Sequence, residues 1–186
     1  YIHNYTEVRH KFMRDKFATK NKIVNGMFEL LKTTPFDEIN VKDICAQADV
    51  SRMTYYRNFH NKKDIIIYRF DSSFTTFIQR LASSHSHNLN DIATIFFELV
   101  KEDQDMMEMI MKNDLSMILL ERLKYYISDL IDENVLETRE ESSKMLVSLI
   151  AGGLTEIIIT WTEDGMKEPI QSLVIFVSKY MHFKIN

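Results

Sequence analysis

The 186 residues are 45% hydrophobic and 27% charged with only four Gly and two Pro, which points to a helical globular protein with short connections and enough length to bury a core. The formal charge of −4 hides an asymmetry: residues 1–70 hold 13 Lys and Arg against 8 Asp and Glu, net +5, while residues 71–186 hold 10 against 19, net −9. The first part can approach a polyanion that the remainder repels, and a single cysteine, Cys45, excludes an intramolecular disulfide.

No apolar run reaches the ~20 residues that span a bilayer, and no signal-peptide pattern opens the chain, so a cytoplasmic protein without a membrane partner is expected. Residues 1–18 are basic through Arg9, His10, Lys11, Arg14 and Lys16. They read either as an arm adding phosphate or minor-groove contacts or as a solvated terminus. A helix is expected from Thr19, which can cap it, with Ile23, Met27, Leu30 and Leu31 in one apolar stripe and an end at Thr33-Thr34-Pro35. Phe36 and Ile39 then plug the core of a three-helix unit.

The stretch from Val41 to Lys63 carries the chemistry. Val41, Ile44, Cys45 and Ala48, then Val50, Tyr55 and Phe59, recur at three- and four-residue spacing and predict two short helices broken at Asp49-Val50. Ser51 is the expected N-cap of the second, and the Tyr55/Phe59 side faces inward, leaving Arg52, Thr54, Arg57 and Asn58 outward. Such a helix suits a DNA major groove. Cys45 is expected to be a small buried apolar residue.

A long helix follows from Asp64 to about Leu81, then a polar loop from Ser83 to Asn90. His85 and His87 flank a serine there, but no third ligand stands at useful spacing, so no metal site is expected. Further helices are expected over residues 91–102, 105–112, 115–131, 140–162 and 168–183, the β-branched run Ile157-Ile158-Ile159 included. The fold class is therefore all-α, about nine helices: an N-terminal three-helix helix-turn-helix domain over residues 1–63, joined by the long helix to a C-terminal helical domain over 64–186. No phosphate-cradling Gly loop, HExxH or Ser or Cys nucleophile pattern favours an enzyme, and the acidic run around Glu137 to Glu141 reads as a solvated helix start.

From Thr19 to Leu81 the chain resembles the DNA-binding region of the TetR family of bacterial transcription regulators. Ile39, Val41, Ile44, Ala48, Val50, Ser51, Tyr56, Phe59, Lys62 and Asp64 fall at the family's spacing, with Asp49 where Gly is usual and Cys45 where Ala is usual. Asp tolerates the left-handed conformation better than most non-Gly residues, so the turn is expected to survive. IAGGLTEIIITWTEDGMKEP resembles the region of the last two helices in many members, including ones related to the dihydroxyacetone kinase regulator.

The resemblance implies that Ser51, Thr54, Asn58 and Lys62 fix the motif on phosphates, with Lys42 and Lys63 adding charge, and that Arg52, Met53, Tyr56 and Arg57 reach base edges. Lys62→Ala would then weaken binding to every sequence and lower its salt dependence. It further implies a homodimer on an inverted-repeat, double-stranded operator, built by the last two helices through Gly152, Gly153, Ile157, Trp161, Phe176 and Tyr180. A crossing of these helices within one protomer is the alternative reading of Gly152-Gly153. A small apolar or amphipathic effector would bind among Phe74, Phe77, Phe96, Met106, Met109, Met117, Tyr126 and Trp161, with no cofactor. A repressor is the primary expectation, and an activator or coactivator working through a protein partner the second.

Overall fold

The architecture comes from a computed structural model that describes residues 2–84, 88–132, 136, 137, 143–180, 184 and 185, with side chains over 17–84, 88–132 and 144–180. His85, His87, the side chains of the basic arm, and residues 138–142 of the acidic run lie outside the described residues. The chain divides into two compact units, Tyr1–Arg69 and Phe70–Asn186. The division falls where the net charge changes sign, within one helix and a few residues past the expected 63/64 boundary.

The first unit begins with α1 (Ile2–Leu31), which starts well before Thr19. Thr19 is thus interior rather than a cap, because nothing from residue 2 to Gly26 breaks a helix. Ile23, Val24, Met27 and Leu31 form its buried stripe. The chain leaves through a turn in which Phe36 and Ile39 are buried, and enters α2 (Val41–Gln47) at a capping box. The Asn40 side chain accepts the backbone N–H groups of Lys42 (2.9 Å) and Asp43 (3.2 Å), and the Asp43 carboxylate accepts that of Asn40 (3.1 Å).

The second helix packs on α1 at a point where a Cβ would be tightly crowded. A Cβ on Gly26 would lie 3.0 Å from the Ala48 Cβ and 3.1 Å from its backbone N. Asp49 adopts φ 51° and Val50 N–H donates to Cys45 O at 3.0 Å, so the left-handed turn forms without glycine. Next come α3 (Arg52–Asn58) and α4 (Lys62–Ser83). Helix α4 starts earlier than expected because Asn61 caps it: its side-chain oxygen accepts Asp64 N–H at 3.1 Å, while the Asp64 carboxylate accepts the N–H groups of His60 and Asn61.

The second unit contains the rest of α4, then α5 (Leu89–Glu102), α6 (Gln104–Lys112), α7 (Ser116–Asp132), α8 (Ser143–Glu163) and α9 (Ile170–Tyr180). Among the described residues the chain is all-α with these nine helices, apart from one two-residue antiparallel pair: β1 (Leu136–Glu137) sets Leu136 opposite Ile185 and Glu137 opposite Lys184 of β2 (Lys184–Ile185). No periodicity is readable from two residues, so the sequence gives no warning of the pair. Helix α5 opens at Asn88, whose side chain accepts Asp91 N–H at 3.0 Å, which shortens the expected loop.

Helix α7 packs on α8, α5 on α9 and α6 on α8. By length and composition α8 could cross a membrane, but Ala151 and Ile158 on it are fully buried within the unit. Arg122 of α7 pairs with Asp71 of α4 at 2.6 Å, and the Tyr126 hydroxyl donates to the same carboxylate oxygen at 2.7 Å. Burial first, and then hydrogen bonding to Asp71, push the Tyr126 phenol well above its usual range.

Candidate nucleic-acid interface and effector cavity

On α3 the alternation of burial is decisive. Tyr55 is fully buried and Phe59 nearly so, while Arg52, Met53, Tyr56 and Arg57 are exposed, Met53 to 73%. The Ser51 hydroxyl accepts Thr54 N–H at 3.0 Å and lies 2.9 Å from the Thr54 hydroxyl, so both hydroxyls sit together at the N-terminus of α3. Asn58 is half-buried and its amide donates to Thr54 O at 2.8 Å, turned back along its own helix. Lys42 at the start of α2 and Lys63 in the first turn of α4 are exposed.

Lys62 is placed otherwise. Its ammonium donates to the carbonyls of Phe36, Asp37 (3.1 Å) and Ile39 (3.1 Å) and stands 4.5 Å from the Phe36 ring centroid. An ammonium has three protons, and all three have acceptors in the α1–α2 turn. The expected phosphate contact by Lys62 is therefore corrected to a structural role: it ties the start of α4 to that turn.

Two buried polar atoms in this unit, the Tyr55 hydroxyl and the Asn58 side-chain oxygen, have no hydrogen-bond partner among the described residues. Burial is the main reason that the Tyr55 phenol is pushed up to about 12. A raised phenol pKa means that the neutral form is favoured in the fold. The associated stability is complete below the ordinary value near 10 and is lost as pH rises toward 12. Tyr55→Phe is expected to raise stability at neutral pH by about 1 kcal/mol, because it removes an unpaired buried hydroxyl. It should also flatten the alkaline loss between pH 10 and 12, as followed by urea denaturation; a less stable variant would show that the hydroxyl is satisfied.

The second unit holds a partly open cavity of about 150 Å³ walled by α4, α5, α6, α7, α8 and α9. Phe74, Phe77, Phe96 and Tyr126 lie on its wall. Phe74 stacks on Tyr126 with centroids 4.1 Å apart, and Phe77 meets Phe96 edge to face at 6.5 Å. Met106, Met109, Met117 and Trp161 do not line it. Met117 is 61% exposed on the outer side of α7, and it is Met107, one position on from Met106, that faces the cavity. Trp161 is buried behind Phe97, its indole N–H donating to Glu168 O at 3.0 Å, so it is also removed from the expected dimer surface.

Sequence reasoning missed Phe70, Phe97, Leu123, Ile127, Ile158 and Val177 on the wall. Their helical spacing is that of any core residue, and only the convergence of the helices separates wall from core.

Of the other surface expected to be an interface, Phe176 and Tyr180 are more than half exposed, and Gly152, Gly153 and Ile157 are partly exposed. A Cβ on Gly152 would meet nothing within 4 Å, so among the described residues no close approach requires that glycine. Met145, Leu149 and Ile175 are further exposed apolar residues on α8 and α9.

A family model described as a transcriptional regulator C-terminal region, of the TetR type, matches residues 87–183, more than half of the chain. The chain belongs to the TetR family of transcriptional regulators. This regulator is also 26% identical over 66 residues to the transcriptional activator DhaS of the dhaKLM operon in Lactococcus lactis, a match spanning 36% of this chain and 35% of that protein's length. Among solved structures, Lin0861 from Listeria innocua has the same fold, with a TM-score of 0.75 at 17% identity over 90% of each chain. A TetR transcriptional regulator from Streptococcus agalactiae gives 0.59 at 16% identity, covering 90% of this chain and 96% of that one. DhaS itself gives 0.56 at 16% identity, covering 87% and 92%. Its relatives are regulators rather than enzymes.

Proposed function

We propose that this regulator binds double-stranded DNA through α3 as a homodimer on an inverted-repeat operator, and that an apolar or amphipathic effector in the cavity releases it, making it a repressor. The observation that carries the reading is the split on α3. Two aromatic anchors are buried, and Arg52, Met53, Tyr56 and Arg57 stand outward in a unit of net charge +5. Arg suits a bidentate pair with guanine, Met the thymine methyl group, and the paired Ser51 and Thr54 hydroxyls suit phosphate oxygens. Lys42 and Lys63 add sequence-independent attraction, and Asn58 is the phosphate candidate most committed to its own helix.

Dimerisation is supported by the exposed apolar residues of α8 and α9 beside a glycine with open space over it. One short recognition helix buries too little for tight specific binding, and a dimer offers two. Coupling to the cavity is supported by α4, which holds Lys62 at its first turn and contributes Phe70, Ser73, Phe74 and Phe77 to the cavity wall. An effector preferring a cavity in which α4 is displaced biases the protein away from DNA.

The test is a salt-titrated binding assay on DNA flanking the regulator's own gene, expected to yield a protected inverted repeat. Arg52→Ala should lose about 1–3 kcal/mol on that site and relax base preference at one position per half-site. Equal loss on specific and random DNA would remove Arg52 from base readout. The similarity to an activator favours a second reading, activation through a protein partner. In vitro transcription with the regulator alone separates the two, since a repressor silences the promoter without a partner and an activator does not.

A further inference from the structure

Among the described residues the cavity wall carries three side chains with polar atoms, Ser73, Asp103 and Tyr126, and each is engaged by other protein groups. The Tyr126 hydroxyl donates to Asp71 at 2.7 Å and accepts the Arg122 Nε–H at 3.3 Å, and neither Asp71 nor Arg122 lines the cavity. The Ser73 hydroxyl donates to the Asp103 carboxylate at 2.9 Å, and both residues have further interactions. The surface presented to an occupant is accordingly almost wholly apolar.

That surface is also rich in rings. Phe74 stacks on Tyr126 and, with centroids 5.9 Å apart, on Phe77, while Phe96 stands edge to face with both Phe77 and Phe97, the latter at 5.2 Å. Aromatic pairs favour offset-stacked and edge-to-face arrangements, so a further ring finds partners of both kinds here. The volume of about 150 Å³ suits one ring, since an engineered apolar cavity of about that size takes up benzene.

Resting on the effector reading above, we propose that the cavity takes a neutral one-ring arene without a hydrogen-bonding group. An arene gives up no hydrogen bond to water on entry, whereas a hydroxyl loses its water partners and gains none, and a carboxylate or ammonium loses far more. Selection is thus by exclusion: the wall rewards no polar group and penalises every one. Phe70, Phe74 and Phe77 belong to α4, so an arene seated against them touches the helix that leads to the DNA-binding unit.

The experiment titrates four one-ring probes, toluene, phenol, benzylamine and benzoate, into the full chain without DNA and follows the methionine methyl resonances by NMR. Met107 on the cavity wall reports entry, and the exposed Met117 on the outer side of α7 is the control for surface binding. Toluene is expected to shift Met107 and to bind about tenfold tighter than phenol, the margin of one hydroxyl transferred without a partner, and the two charged probes should leave Met107 unmoved. Ala93→Leu, which adds side-chain volume at the wall, should weaken toluene binding about tenfold, with cooperative thermal unfolding showing that the variant is folded. The probe series on the unaltered chain decides the ligand class whether or not that variant folds. Phenol binding as tightly as toluene, a Met107 response to benzylamine or benzoate, no Met107 response to toluene, or unchanged toluene affinity in a folded Ala93→Leu would each overturn the assignment. Repeating the titration on the operator complex separates the two readings: toluene binding that leaves DNA affinity unchanged refutes effector control and leaves the ligand class of the cavity intact.

Discussion

Lys62→Met is expected to weaken DNA binding on every sequence without changing its salt dependence. A phosphate-contacting lysine releases counterions, so removing one lowers the slope of log affinity against log salt by about 1. The Lys62 ammonium instead donates to the carbonyls of Phe36, Asp37 and Ile39, and methionine fills the stem while leaving those three acceptors without their donor. Hydrogen bonds from a charged donor contribute more than neutral ones, so the unit should lose about 2–3 kcal/mol in urea denaturation. The affinity loss then follows from a loosened start of α4 and a loosened α1–α2 turn. Lys63→Ala is the matched control: its side chain is exposed, and the salt slope should fall by about 1 with stability nearly unchanged. A Lys62→Met slope reduced as much as that of Lys63→Ala would return Lys62 to the phosphates.

Gly26→Ala should destabilise the first unit even though alanine is the better helix former by about 1 kcal/mol. The added Cβ would stand 3.0 Å from the Ala48 Cβ, 3.1 Å from its N and 3.3 Å from its Cα, and two of those three atoms are backbone. Relief requires the backbone at Ala48, at the end of α2, to give way by about a few tenths of an ångström, and overpacking of this kind costs about 1–3 kcal/mol. Gly26→Val, with two further methyl groups, should lose more than Gly26→Ala. Because α2 carries the turn into α3, DNA affinity should fall with stability in both. Ala48→Gly in the Gly26→Ala background removes one of the three contacts and should restore part of the loss. A Gly26→Ala variant more stable than the parent would show that α1 and α2 separate freely.

Much of the first unit was legible from the chain because its devices are local. A cap at Ser51, a left-handed turn at Asp49 and inward spacing of Tyr55 and Phe59 are each set by residues within a turn or two, and the structure has them all. What local reading misplaced were features set at long range. Thr19 had every property of a cap and lies inside α1, because the preceding residues are themselves helix formers. Lys62 carried the spacing of a phosphate contact, yet its three acceptors lie more than twenty residues back in the chain. Gly26 carries no local signal, since a mid-helix glycine gains meaning only when Ala48 is brought against it.

The second unit divides in the same way. The sequence by itself determined that helices fill it, that its charge is negative and that its core is rich in aromatic and Met side chains, because composition and 3.6-residue periodicity are properties of the chain alone. Only the tertiary structure decided that Met107 rather than Met106 faces the cavity, that Trp161 is sealed behind Phe97, and that Asp103 meets Ser73 thirty residues away. Periodicity fixes which stripe of a helix turns inward, but not which neighbour it meets there. The difference between core, cavity wall and open surface depends on helix rotations that a single sequence does not encode locally.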